Sequence, residues 1–265
     1  MKNQTKNYPL RVFGVHDPLS STIAQNAGAD ALWLSSYSFC ASQGYPDLGL
    51  LPFTAELTTV SRIVRAVEIP VVVDIDNGYG SAAHAKVIAA NLAECGVYGV
   101  CIEDKSGSKA SSLYSKEQQY LLNTDDYIEI LNEITKVAPN LKVWARLEGL
   151  NYGQDINEID RKIAACLEAK ADCVVIHNTS EDISKLLYLV DKYQNNNLAI
   201  IPTTFIKQLN QFNDFNLHAV IYANQMIRAQ MYYTDLIAKS ILNNSSEIDS
   251  KISSVRDINK LVNYD

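Results

Sequence analysis

The run VVVDIDNGYG, residues 71–80, decides the fold of this 265-residue chain. Its first part, VVVDID from Val71 to Asp76, reads as a strand buried on both faces, and Asn77-Gly78 ends it with a turn signal. A strand that is apolar on both faces belongs to a parallel sheet covered by helices. Runs of the same kind recur in both directions. Arg11–Gly14 and Ala31–Ser35 precede it, and VYGVCIED (Val97–Asp104), LKVWARLE (Leu141–Glu148), Cys173–His177, Leu198–Pro202 and Ala219–Tyr222 follow. Between them lie segments of helical period: Ser20–Ala27, Thr54–Val67 with Thr54 as its N-cap, Ser81–Glu94, Asp125–Val137, Ile156–Ala169, Asp182–Tyr193 and Phe205–Asn210. A long helix begins near Asn224 and breaks at LNNSSE, with short helical pieces beyond.

Eight β-type runs, each followed by a helix, imply parallel strands joined by crossovers. The expected fold is α/β: a (β/α)8 TIM barrel spanning residues 1–265 as one domain. A doubly wound open sheet is the alternative that periodicity leaves open. The helices from about 224 to 265 exceed what a closed barrel needs and are expected in oligomer contacts.

Composition narrows the function. At 47% hydrophobic and 20% charged residues the chain has material for a large core. No apolar stretch reaches the roughly 18 residues of a membrane span. The N-terminal MKNQTKNYPL lacks the apolar region of a secretory signal, so a cytoplasmic enzyme with no membrane partner is expected. A net charge of −7 argues against nucleic acid but leaves room for a small anionic substrate beside a local cation cluster or metal. The five cysteines show no CxxC spacing and sit in or beside apolar runs, as buried free thiols do.

Chemistry in parallel α/β folds gathers at the carboxyl ends of the strands. Here those ends carry Trp33-Leu34-Ser35-Ser36, Asp74-Ile75-Asp76, Glu103-Asp104-Lys105, Arg146-Leu147-Glu148, His177-Asn178 and Pro202-Thr203-Thr204. Asp74 and Asp76, two apart on a strand, share a face, and Glu103 on the neighbouring strand brings a third carboxylate. Their mutual repulsion would raise at least one pKa sharply unless a hard cation relieves it, and Mg²⁺ suits so sparse a set of oxygens. The alternative is that one Asp only caps the following turn. Arg146 suits bidentate recognition of phosphate or carboxylate, and a salt bridge to Glu148 or Asp76 is the alternative, the two not being exclusive. His177 is either an anion donor and acid–base group or a structural histidine. The polar stretch Lys105–Asn123 reads as a lid or as exposed coil.

Taken together, these motifs resemble the phosphoenolpyruvate mutase/isocitrate lyase superfamily. DIDNGYG (Asp74–Gly80) is similar to the family's D-x-D-x-G-Y-G and IEDK (Ile102–Lys105) to its E-D-K. WARLE (Trp144–Glu148), VIHN (Val175–Asn178), IPTT (Ile201–Thr204) and YANQMIRA (Tyr222–Ala229) follow in matching order. The resemblance implies a barrel whose eighth helix is exchanged between subunits of a dimer or tetramer. It implies Mg²⁺ held directly by Asp76, with Asp74 and Glu103 reaching it through water. A pyruvyl carboxylate would lie on the Ser35-Ser36-Tyr37 turn with Trp33 as a wall. Asp47, in QGYPD, would close over the reacting group, and Arg146 and His177 would hold the phosphoryl or departing anion.

The segment after Lys105 distinguishes branches of the family. Carbon–carbon lyases carry K-[KR]-C-G-H there, whereas this chain has SGSKASSL (Ser106–Leu113), without Cys or His. It resembles instead the phosphonate branch, E-D-K followed after five residues by N-S. Lys109, Ser112 and Leu113 match that pattern, Ser111 replaces the Asn, and Gly107-Ser108 stand where Phe-Pro is usual. Ser36 and Tyr37 replace the usual Gly and Leu after Ser35. The implied activity is the interconversion of phosphoenolpyruvate and 3-phosphonopyruvate, with Lys109 and Ser111 joining Arg146 and His177 around the phosphoryl group and Ser112 beside the substrate. Serine is shorter than asparagine, so hydrolysis of phosphonopyruvate to pyruvate and phosphate is the alternative. A carbon–carbon lyase on a related 2-keto or 2-hydroxy acid, or a barrel that binds metal without turnover, are weaker ones.

Overall fold

A computed structural model describes residues 8–107, 119–243, 250 and 252–262. In chain order the elements are β1 (Leu10–Val15), α1 (Pro18–Asn26), β2 (Ala31–Leu34), α2 (Ser36–Ser42), α3 (Phe53–Ala66), β3 (Val71–Asp74), α4 (Ala82–Glu94), β4 (Gly99–Glu103), β5 (Lys105–Gly107) and β6 (Gln119–Leu121). There follow α5 (Thr124–Val137), β7 (Lys142–Leu147), α6 (Ile156–Glu168), β8 (Cys173–Ile176), α7 (Ser184–Lys192), β9 (Leu198–Ile200), β10 (Ala219–Tyr222), α8 (Gln225–Leu242) and α9 (Val255–Leu261). Eight strands, β1-β2-β3-β4-β7-β8-β9-β10, close into a parallel barrel, and β5 pairs with β6 as a separate antiparallel ribbon. The closed barrel replaces the open-sheet alternative.

Side-chain alternation splits the core into two layers. Val12, Ala31, Trp33, Val72, Cys101, Trp144, Cys173, Val175, Ala199 and Ala219 belong to the smaller cluster, which fills the barrel. Their neighbours along each strand, such as Leu32, Val71, Val73, Val100, Val143 and Val174, pack outward against the helices. Both faces are therefore buried, as the uninterrupted apolar runs predict. Gly14 lets β1 pass β10, because a Cβ there would lie 1.9 Å from the Ala223 carbonyl oxygen.

Several local expectations are corrected. The first helix starts at Pro18, earlier than Ser20, because Asp17 and Ser20 form a reciprocal capping box and Pro18 fits the first turn. Thr54 is not the N-cap of α3; the helix begins at Phe53, and Pro52 occupies the cap position without a side-chain bond. Residues 35–37 are not a free turn, since Ser35 caps a short helix, α2, its hydroxyl accepting the Ser38 N–H. Helix Phe205–Asn210 is a 3-10 segment, Ile206–Phe212. The stretch Lys105–Asn123 is not plain coil, because its two ends pair as β5 and β6. Of the cysteines, Cys40, Cys101, Cys166 and Cys173 are buried and Cys95 only partly; all are free thiols. Burial pushes the Cys166 thiol up to about 12, where it is unreactive at neutral pH.

Candidate active site

The barrel alternation delivers the site. Val72, Cys101, Trp144 and Val175 point inward, so the residues two further on, Asp74, Glu103, Arg146 and His177, project over the same interior at the carboxyl ends of their strands. Trp33 packs against Trp144 with ring centroids 6.3 Å apart. The two indoles form part of the apolar interior beneath these polar groups.

Arg146 is the hub. Its Nη1 donates to both oxygens of Asp74, at 3.1 and 2.9 Å, its Nη2 pairs closely with Glu103 Oε2, and its Nε lies 3.0 Å from Glu148 Oε1. The pairings foreseen from sequence were with Glu148 or Asp76; Glu148 is confirmed, and Asp74 and Glu103 are the other direct partners. Burial disfavours the guanidinium charge, but Asp74 and Glu148 outweigh it and raise the Arg146 pKa above its ordinary value. Glu148 also accepts from Asn151 Nδ2 at 2.7 Å and lies 2.8 Å from His177 Nδ1. Burial alone would raise the Glu148 pKa. The charge and hydrogen bond of His177, with Arg146 and Lys105, hold it well below the usual carboxylate range instead.

Asp76 lies just beyond β3 at φ 52, a left-handed conformation that few non-glycine residues adopt. Its carbonyl accepts the Glu103 N–H at 2.7 Å and its Oδ1 accepts Ser36 Oγ–H at 2.7 Å. The same hydroxyl is 3.5 Å from Asp74 Oδ2. Ser36 thus links Asp74 to Asp76, and Arg146 links Asp74 to Glu103. Lys105 Nζ, also buried, lies 3.1 Å from Glu103 Oε1. The loop that carries Asp76 is braced twice: Asn77 Nδ2 donates to the Gly107 carbonyl at 3.0 Å, and Tyr79 Oη donates to Glu56 at 3.0 Å. A cavity of about 50 Å³ opens beside it, lined by Ser36, Phe39, Cys40, Asp47, Glu56 and Asp76 among others.

The structure thus brings Ser36, Asp47, Asp74, Asp76, Glu103, Arg146 and His177 to one end of the barrel, with Ser35 and Tyr37 at the start of α2. Lys109, Ser111 and Ser112 lie outside the described residues. Glu148 emerges as the central carboxylate, although the sequence offered it only as an ion-pair partner. Glu56 and Lys162 were not singled out. Both fall on apolar helix stripes, Glu56 with Val60 and Ile63, and Lys162 with Ile159, Ile163 and Cys166. A charged residue on such a stripe was the available signal.

The donor set fits a hard divalent cation. Asp74, Asp76 and Glu103 offer carboxylate oxygens linked through one hydroxyl and one guanidinium, with no soft ligand among them. Among the described residues no group of three or more His, Cys, Asp or Glu side chains is already arranged as a metal cage. Arg146 supplies positive charge between Asp74 and Glu103 instead.

The clustered carboxylates and cationic side chains lie at the carboxyl ends of the strands, the end at which (β/α)8 barrels carry their active sites. The family model for phosphoenolpyruvate phosphomutase matches residues 2–242, and the chain belongs to the phosphoenolpyruvate mutase/isocitrate lyase superfamily of enzymes. It is 28% identical to a phosphonopyruvate hydrolase of Variovorax sp. (strain Pal2), over 97% of this chain and 94% of that protein. The crystal structure of a phosphoenolpyruvate phosphomutase from Streptomyces platensis subsp. rosaceus superposes with a TM-score of 0.88 at 28% identity, covering 96% of this chain and 90% of that one. A phosphonopyruvate hydrolase in complex with oxalate and Mg²⁺ gives 0.85 at 25% identity, with the same coverages. Relatives divide among phosphoenolpyruvate phosphomutases, phosphonopyruvate hydrolases and 2-methylisocitrate lyases.

Proposed function

We propose that the chain is a Mg²⁺-dependent enzyme of the phosphonate branch, interconverting phosphoenolpyruvate and 3-phosphonopyruvate. The observation that carries this reading is the shared Glu148 carboxylate, which holds Arg146 and His177 together beside Asp74, Asp76 and Glu103. An anion-binding pair then adjoins a cation-binding cluster, as a substrate with a phosphoryl group at one end and a keto acid at the other requires.

In this reading Asp76 would hold Mg²⁺ directly, and Asp74 and Glu103 through water. Bound there, Mg²⁺ supplies Lewis-acid polarisation of the enolate or keto oxygen. The start of α2, Ser35 to Tyr37, holds the carboxylate through hydroxyl and first-turn N–H groups, above the Trp33 wall. Arg146 and His177 hold the phosphoryl oxygens, with Lys109 and Ser111, and Ser112 beside them. Asp47 orients the transfer. In the mutase direction the O–P bond of phosphoenolpyruvate breaks and a C–P bond forms at C3, while the site excludes water. The enzyme works on small anions, with no nucleic acid or membrane partner, in the cytoplasm.

Hydrolysis is the second reading, favoured by Ser111 in place of Asn and by similarity to a phosphonopyruvate hydrolase along nearly the whole chain. There water takes the phosphoryl group and a proton goes to C3 of the pyruvate enolate. Purified protein incubated with phosphonopyruvate and Mg²⁺, followed by ³¹P NMR, separates the two. Phosphoenolpyruvate supports the mutase, inorganic phosphate the hydrolase, and no change in the spectrum contradicts both.

A further inference from the structure

Behind the strand ends lies a buried charge pair that the proposed reaction does not use. Lys162 on α6 is only 2% exposed, a rare state for lysine. Its Nζ donates to Asp104 Oδ2 at 2.7 Å and to the Leu122 carbonyl at 2.8 Å. Asp104, fully buried, turns its other oxygen to the backbone N–H of Glu148, at 2.9 Å. Glu148 sits at φ −98, ψ 2, a sparsely populated conformation, and its carboxylate holds Arg146, His177 and Asn151.

A buried lysine–aspartate pair loses the hydration of both ions, and apolar residues of similar volume often serve stability as well. Asp104 also satisfies the buried Glu148 N–H, which couples the charge pair to the residue that holds Arg146 and His177. We propose that Lys162 is a positioning residue: through Asp104 it fixes the backbone of Glu148, and through Glu148 it sets the orientation of His177 and Arg146 toward the ligand. The path is continuous: hydrogen bonds of 2.7–2.9 Å run from Lys162 to Asp104, from Asp104 to the Glu148 N–H and between Glu148 and His177, and an ion pair at 3.0 Å joins Glu148 to Arg146. Only the kinetic part of its test rests on the proposed function.

The test uses Lys162→Met and the double variant Lys162→Met/Asp104→Asn. The double variant leaves no unpaired charge and keeps an oxygen acceptor for Glu148. The first readout is ¹⁵N NMR of the imidazoles, with His16, His84 and His218 as internal references. The second is kcat and KM with phosphonopyruvate and Mg²⁺. In Lys162→Met the His177 Nδ1 resonance moves while the other three stay, and kcat falls by about a hundredfold with a smaller change in KM. The double variant restores the resonance and most of the turnover. An unchanged His177 signal in folded Lys162→Met overturns the proposal. If that variant does not fold, Lys162→Met/Asp104→Leu decides, since it removes the acceptor of the Glu148 N–H without leaving an unpaired charge: a displaced His177 signal in the folded variant supports the proposal, and a native signal overturns it. Wild-type protein that converts no phosphonopyruvate contradicts the proposed function, while the imidazole spectra still decide the role of Lys162.

Discussion

Asp76 and Gly78 show how single residues shape this site. Gly78 adopts φ 69, and a Cβ on it would meet the Ala85 Cβ at 2.6 Å. Gly78→Ala is expected to cost about 1–3 kcal/mol, read from urea unfolding, and to weaken Mg²⁺ binding by shifting the Asp76 loop. Asp76→Gly removes the proposed oxygen ligand and suits the left-handed backbone, so the variant should fold as well as wild type yet lose metal-dependent turnover. Undiminished turnover would remove Asp76 from the metal site. Asp74, Glu103, Arg146 and His177 were legible in the sequence because strand alternation and position at strand ends are local facts. Lys162 and Glu56 were not, because a lone charge on a helix reads as surface until the buried stripe around it is counted. That Arg146 would join Asp74 and Glu103 besides Glu148 was equally hidden, since that depends on how the barrel arranges its strands.

Elements carry the next level of control. The 3-10 turn after β7, Gly149–Tyr152, starts at Glu148 and ties β7 to His177 at the end of β8. The Glu148 pKa is depressed in the folded chain, so its contribution to stability is fully present above the ordinary carboxylate range near pH 4 and is lost as pH falls below it. The melting temperature should drop steeply on that acid side, and Glu148→Gln should show a shallower drop; equal slopes would deny Glu148 this role. The eight barrel strands were legible because apolar runs of four to six residues stand out. Helix α2 and the β5–β6 ribbon were not, since seven residues of mixed polarity and strands of three carry too little periodic signal. Phe205–Asn210 has helical spacing, but the chain tightens into a 3-10 coil there.

At the scale of the whole molecule, α8 stands out: none of its 18 residues is buried, and Met231, Tyr232, Tyr233, Ile241 and Leu242 are exposed. It is joined to the barrel near its start, where Gln230 Oε1 lies 2.6 Å from Nε2 of the buried His16. We propose that α8 and α9 cover such surfaces on a second copy of the chain, giving a dimer or tetramer. Sedimentation should show that assembly in wild-type protein and a shift to monomer in Met231→Glu/Leu242→Glu; a monomeric wild type contradicts it. Among the described residues no helix is long and apolar enough to cross a membrane. The barrel as a whole was readable because alternating strands and helices admit few closed arrangements. The helices beyond the barrel suggested an assembly from the sequence, but which of their residues would face a second copy was not readable there, because surface exposure depends on the folded chain.

Calorimetric titration of oxalate, a mimic of the pyruvate enolate, into the wild-type protein tests the central claim most directly, once with Mg²⁺ and once with EDTA. The account predicts a saturable, one-to-one complex that forms with Mg²⁺ and disappears when the ion is chelated. Equal binding under both conditions, or none in either, would mean that the acidic strand ends do not grip a dication beside a small keto acid.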